Sequence, residues 1–115
     1  VIEAVEITLP WPPSANRYWR IFRGRAVKSA DATAYKKAVA EVCDGMTECF
    51  GDVIIRLDFF RPRKSGDLDN RIKILLDAMQ GTAYKDDKQI VEIHARRFDD
   101  KANPRVEVRI QEREI

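Results

Sequence analysis

The chain has 115 residues, 44% of them hydrophobic and 35% charged, with a formal net charge of +2 at pH 7. That length fits one domain with a core of its own, and the composition excludes a disordered or collagen-like chain. No run approaches the ~20 apolar residues that span a bilayer. The opening residues, with Glu3 and Glu6 among them, read as a strand rather than a signal peptide.

Over residues 3–9, Val5, Ile7 and Leu9 alternate as one face of a strand. Pro10, Pro12 and Pro13 then exclude both helix interior and central strand, leaving an ordered loop anchored by Trp11. Residues 20–27, with Gly24 at the turn, read as a short hairpin. Arg17, Arg20, Arg23, Arg25 and Lys28 follow one another with no acid between them and with Tyr18, Trp19 and Phe22 interleaved. Such a stretch suits a phosphate backbone, and its aromatics are candidates to stack on an unpaired base; a solvated basic loop is the plain alternative.

Residues 30–50 carry apolar side chains at helical spacing from Tyr35 to Phe50, with Ser29 or Asp31 to cap the start and Gly51 to stop the helix. Cys43 and Cys49 fall inside it six apart, on different sides, so they read as reduced thiols of a cytoplasmic protein. No Cys/His cluster suits zinc, and His94, the single histidine, reads as structural. Residues 52–60 form a strand with apolar residues on both faces, which suggests a central position. Arg61, Arg63 and Lys64 make a second basic run.

A second helix spans about 69–80, burying Ile72, Leu75, Leu76 and Met79 and ending at Gly81. Its other side carries Asp69, Lys73 and Asp77, with Asn70 nearby. Strands at 89–98 and 105–111 close the chain. The order β, hairpin, α, β, α, β, β predicts an α+β fold: two helices packed on a mixed, mostly antiparallel sheet, in a single domain over residues 1–115.

The aspartates of GDLDN, Asp67 and Asp69, stand at the mouth of the second helix, and Asp86-Asp87 stand beyond its end. One aspartate can serve as a helix cap, which leaves the others unexplained. The tight helix–strand connection suggests that both acidic groups reach the same end of the sheet. Three carboxylates converging there would repel unless a cation held them, and hard oxygen ligands favour magnesium or manganese. Lys73, one turn past Asp69, is placed to neutralise developing charge. The plain alternative is a capping aspartate and a solvated acidic turn.

The segment Gly66-Asp67-Leu68-Asp69-Asn70, Lys73, Asp77-Ala78-Met79, Gly81, Tyr84, Asp86-Asp87 and Gln89-Ile90 resembles the RusA family of Holliday junction resolvases. The opening Leu9-Pro10-Trp11-Pro12-Pro13-Ser14-Ala15-Asn16-Arg17-Tyr18 is similar to that family's N-terminal signature. The resemblance implies a RusA-like fold and a magnesium-dependent endonuclease, with manganese as a substitute and no organic cofactor. It implies a homodimer that nicks two opposing strands of four-way branched DNA, in recombination and repair, in a bacterial, prophage or phage setting and away from membranes. By motif position the catalytic and metal-binding carboxylates fall on Asp67, Asp69 and Asp87, and the functional lysine on Lys73. Asn70, Asp77 and Asp86 are candidates for supporting groups around them. Adjacent strand residues point to opposite faces, so Asp86 and Asp87 would not serve one ion equally. Asn16, Arg17, Arg20, Arg23, Arg25, Arg61, Arg63 and Lys64 are the DNA-binding candidates. A less selective fork or flap nuclease, a catalytically silent junction-binding module and a small metal-binding regulator are the competing readings.

Overall fold

The structure is a computed structural model that describes residues 4–14, 19–63 and 68–113, with the side chains of Asp69 and Asn70 outside that description. Strands β1 (Val5–Pro10), β2 (Trp19–Phe22) and β3 (Arg25–Lys28) lead into helix α1 (Ala30–Val42). Strand β4 (Val53–Arg61), helix α2 (Asp69–Met79), a 3-10 turn (Asp87–Gln89), β5 (Ile90–Asp99) and β6 (Arg105–Glu112) follow. Four strands make a sheet in the order β1-β6-β4-β5, and β2 and β3 make a separate two-stranded ribbon. Strand β6 runs antiparallel to β1 and β4, whereas β4 and β5 are parallel. The fold is α+β, and the sheet is mixed.

Alternation decides which face is buried. Val53, Ile55, Leu57 and Phe59 of β4 and Val106, Val108 and Ile110 of β6 form the core with Tyr35 and Val39 of α1 and Leu75, Ala78 and Met79 of α2. Each large apolar side chain buried there contributes about 2 kcal/mol. The stripe on α2 is turned from the expected one. Ile74 is buried against Ala32 of α1, while Ile72 and Leu76 are only partly buried. The second helix therefore presents one flank to the first as well as its base to the sheet.

The opposite sheet face meets solvent through Arg56, Glu92, His94, Glu107 and Arg109. Asp58 is buried on this face and accepts two hydrogen bonds from Arg96, at 2.8 and 2.9 Å. Apolar residues on both faces of β4 predicted its central place, and it lies between β6 and β5.

Helix α1 ends earlier than its periodicity predicts. Ser29 caps its start in extended backbone, accepting from the Ala32 N–H at 3.2 Å. The helix stops at Val42, and Gly45, with φ of 80°, takes the left-handed turn that carries the chain away. Met46, Cys49 and Phe50 kept helical spacing without being helical. Cys49 instead donates its N–H to the Ala83 carbonyl at 2.9 Å, and Phe50 is left 78% exposed. Both cysteines are free, and burial raises both thiols above their ordinary pKa.

The proline-rich loop is ordered by three side chains. Trp11 stands edge-on to Phe59 with centroids 6.0 Å apart. The Tyr35 hydroxyl donates to the Pro10 carbonyl at 2.7 Å. Arg71, from the first turn of α2, donates to the Pro12 carbonyl and lies over the Trp11 ring at 5.0 Å. Among the described residues no helix is long and apolar enough to cross a membrane.

Candidate active site and nucleic-acid surface

The unit β4–α2–β5 positions the acidic residues. Because β4 and β5 are parallel, the chain must return along α2 between them. The connection into α2 and the connection out of it therefore lie at opposite ends of the sheet. Asp69 is the first residue of α2 and Asp87 comes after its end. Eleven residues rising about 1.5 Å each put the helix ends roughly 15 Å apart. The expectation that both acidic groups reach the same end of the sheet thus fails within one chain, because a parallel crossover separates them. Among the described residues no three potential ligands cluster.

At the entry to α2, the N-cap position is Leu68, in helical backbone, with no side-chain hydrogen bond to the cap among the described residues. Asp69 therefore sits in the first turn, where the partial positive charge of the helix end favours an anion. Lys73 follows one turn later and is exposed. Asp67 lies outside the described residues, as do Asn16, Arg17 and Lys64. Asn70 lies in the first turn with Asp69.

At the exit, Asp87 is exposed as the first residue of a 3-10 turn that two neighbours shape. Asp86 is the N-cap and accepts from the Lys88 N–H at 2.9 Å, which holds its carboxyl below the usual range. The Gln89 side-chain oxygen accepts from the N–H groups of Lys85 and Asp86, both at 2.9 Å. Its amide nitrogen donates to the carbonyls of Cys49 and Gly51, at 2.9 and 3.0 Å. Asp86 is thus occupied with building the turn that presents Asp87. Tyr84, fully buried beneath it, donates to the Leu76 carbonyl at 2.5 Å. Burial, then the charges of Asp87 and Asp77, push its hydroxyl far above its ordinary pKa.

Asp77 is paired with Lys28 of the ribbon at 2.9 Å. Lys36 of α1 donates to the carbonyls of Asp77 and Gln80, each at 3.0 Å, and so caps the end of α2 from outside. Burial, then the nearby Lys28, lower the pKa of Lys36, and Asp77 opposes them. Sequence reasoning did not single out Lys36 or Arg71, and it gave Lys28 and Gln89 no individual role. Of these, Gln89 stood inside the acidic motif and Lys28 at the end of the basic run, where a partner could have been sought.

Among the basic candidates, Arg20, Arg23 and Arg25 are exposed on the β2–β3 ribbon, and Arg63 is exposed beyond β4. Arg61 is engaged by Asp99 at 2.8 Å, and its side chain is mostly buried. His94 is exposed on the open sheet face, 3.5 Å from Glu92.

A parallel crossover with an acidic helix start at one end, a built acidic turn at the other and an exposed basic ribbon marks the chain as one of an α+β class with acidic and basic surfaces set apart. The chain belongs to the RusA family of endodeoxyribonucleases: the family described as Endodeoxyribonuclease RusA matches residues 10–111. Relatives include the crossover junction endodeoxyribonuclease of Enterobacteria phage 82, 39% identical over 111 residues and 92% of each chain. The protein of the same name from Escherichia coli K12 is 38% identical, and that from Shigella sonnei 37% identical, each over 92% of both chains. The family's enzymes hydrolyse DNA.

Proposed function

We propose that this protein is a divalent-metal-dependent, structure-specific endodeoxyribonuclease that acts as a homodimer on four-way branched DNA, nicking two opposing strands during recombination and repair. The observation that supports the reading is the place of Asp69 in the first turn of α2, with Lys73 exposed one turn on. The relatives' name, crossover junction endodeoxyribonuclease, supports the choice of substrate.

Asp67, Asp69 and Asp87 offer hard oxygen donors that suit magnesium, with manganese as a substitute. One chain keeps Asp69 and Asp87 a helix length apart, so the donor set fits a shared ion when two copies supply it. Strand β5 offers the means. It is an edge strand of ten residues with Val91, Ile93 and Phe98 exposed. Antiparallel pairing of two β5 strands about a two-fold axis sets the Asp87 end of each beside the Asp99 end of the other. Arg61 lies opposite Asp99, at the end of β4 from which the chain enters α2. Each site then takes Asp67 and Asp69 from one copy and Asp87 from its partner, and a two-fold dimer yields two matched cuts.

A bound cation supplies neutralisation of the scissile phosphate and a more acidic water. The carboxylates orient it, Lys73 stabilises charge that develops on the phosphate, and the basic ribbon holds the DNA backbone. The test is cleavage of a synthetic four-way junction beside linear duplex and flap controls, in magnesium, in EDTA and with Asp69→Asn. Paired nicks confined to the junction, lost in EDTA and in the variant while binding persists, support the reading. Tight junction binding without cleavage in magnesium or manganese overturns the enzyme, and equal cutting of flaps overturns the junction selectivity.

A further inference from the structure

The tip of the β2–β3 ribbon carries apolar side chains that the described core does not use. All four residues of β2 are exposed, including Ile21 at 75% and Phe22 at 50%. Neither Ile21 nor Phe22 belongs to the hydrophobic core. An isolated two-stranded ribbon is marginal in water, and exposed apolar residues on it gain nothing until a partner arrives. Its tip is tight. Arg23 and Gly24 have φ of 52° and 74°, the pair of left-handed residues that closes a two-residue hairpin.

The register sorts the ribbon's two faces. Ile21 lies opposite Ala26 on one face, and Phe22 lies opposite Arg25 on the other. The guanidiniums of Arg20 and Arg23 lie over the Phe22 ring at 5.5 and 5.3 Å. The tip is therefore a flat aromatic ring flanked by planar cations, with no carboxylate between Arg17 and Lys28 to discourage an anion. The ribbon's base is fixed to the catalytic unit, since Lys28 pairs with Asp77 of α2 and Ser29 caps α1.

We propose that this tip is a stacking platform for an unpaired nucleobase at the branch point, with Phe22 taking the base and Arg20, Arg23 and Arg25 taking the flanking phosphates. This rests on the reading of the protein as a branched-DNA nuclease and says how it recognises the branch. An aromatic face accepts any base, and a guanidinium stacks as readily as it pairs with phosphate, so the platform reads an open base without reading its sequence. A protein partner would need acidic groups to meet the arginines and is the less fitting occupant.

The full chain would be titrated, with calcium in place of magnesium, against a four-way junction carrying 2-aminopurine at the crossing and against a duplex carrying it internally. The proteins would be wild type, Phe22→Ala and Phe22→Tyr, with thermal melts to confirm folding. Expected is a fluorescence change on the junction with wild type and Phe22→Tyr, abolished in Phe22→Ala, with duplex affinity altered less than about twofold. A retained signal and junction affinity in Phe22→Ala overturns the proposal, as does an equal loss on junction and duplex, which would make the ribbon a general groove contact. Failure of the wild type to bind any DNA overturns instead the nuclease reading beneath it.

Discussion

Gln89 uses both ends of its side chain to tie the acidic turn to the segment after α1, making four hydrogen bonds to backbone groups. Gln89→Leu leaves these groups to water or to nothing, at a cost of about 1–3 kcal/mol. A urea titration measures that cost, and DNA cleavage is expected to fall further than stability alone explains, because Asp87 loses its support. Lys36→Met removes the external cap of α2 and is expected to cost about 1–2 kcal/mol in the same titration. Acid affects a different residue. The Asp86 carboxyl titrates below its ordinary value of 3.8 in the folded chain, so its stabilisation is complete above that pH. It is lost as pH falls through the lower folded value. Asp86→Asn keeps a capping oxygen without the titration, and its acid unfolding below pH 3.8 is expected to be shallower than that of the wild type.

Among the elements, the edge strand β5 carries the most consequence. Natural sheets blunt exposed edges with lysine or with bulges. Here the register of β4 against β5 shifts between Val53 and Ile54, near the start of the edge, while Val91 and Ile93 remain exposed. Ile93→Lys is expected to weaken self-association by about tenfold or more, the effect of ~1.4 kcal/mol, as read by light scattering on a chromatographed sample. Circular dichroism should show the fold intact.

Most elements were legible from side-chain pattern alone. Ser29 marked the start of α1, Gly24 the hairpin and the two-faced apolar run of β4 its central place. The end of α1 was not legible, because Met46, Cys49 and Phe50 prolong a helical period that Gly45 interrupts. The direction of β5 was not legible either, since a strand's side chains alternate alike in parallel and antiparallel ladders. With that direction unknown, the separation of Asp69 from Asp87 could not be foreseen. The burial of Asp58 depended on a partner, Arg96, 38 residues away.

At the scale of the molecule, the arrangement of carboxylates makes a prediction that a single-chain site does not. Asp69→Asn and Asp87→Asn chains are each expected to be inactive. Mixed and allowed to exchange, they are expected to form, in the proposed dimer, one site that keeps Asp69 from one copy and Asp87 from the other. Random pairing restores about a quarter of the sites, and the product should be single nicks rather than paired ones. Restoration is read on a supercoiled plasmid that extrudes a cruciform, and its absence overturns the shared site.

The two tryptophans fall on opposite sides of this division of labour. Trp11 sits between Phe59 and Arg71, while Trp19 stands at the root of the ribbon, 47% exposed. The protein therefore carries two built-in lamps. Emission from Trp11 reports whether the body is folded, and emission from Trp19, redder and open to soluble quenchers, reports whether the ribbon is occupied. Titrating DNA in the presence of iodide separates the two signals without any label, and a variant that loses one lamp but not the other reveals at once whether it is unfolded or merely unbound.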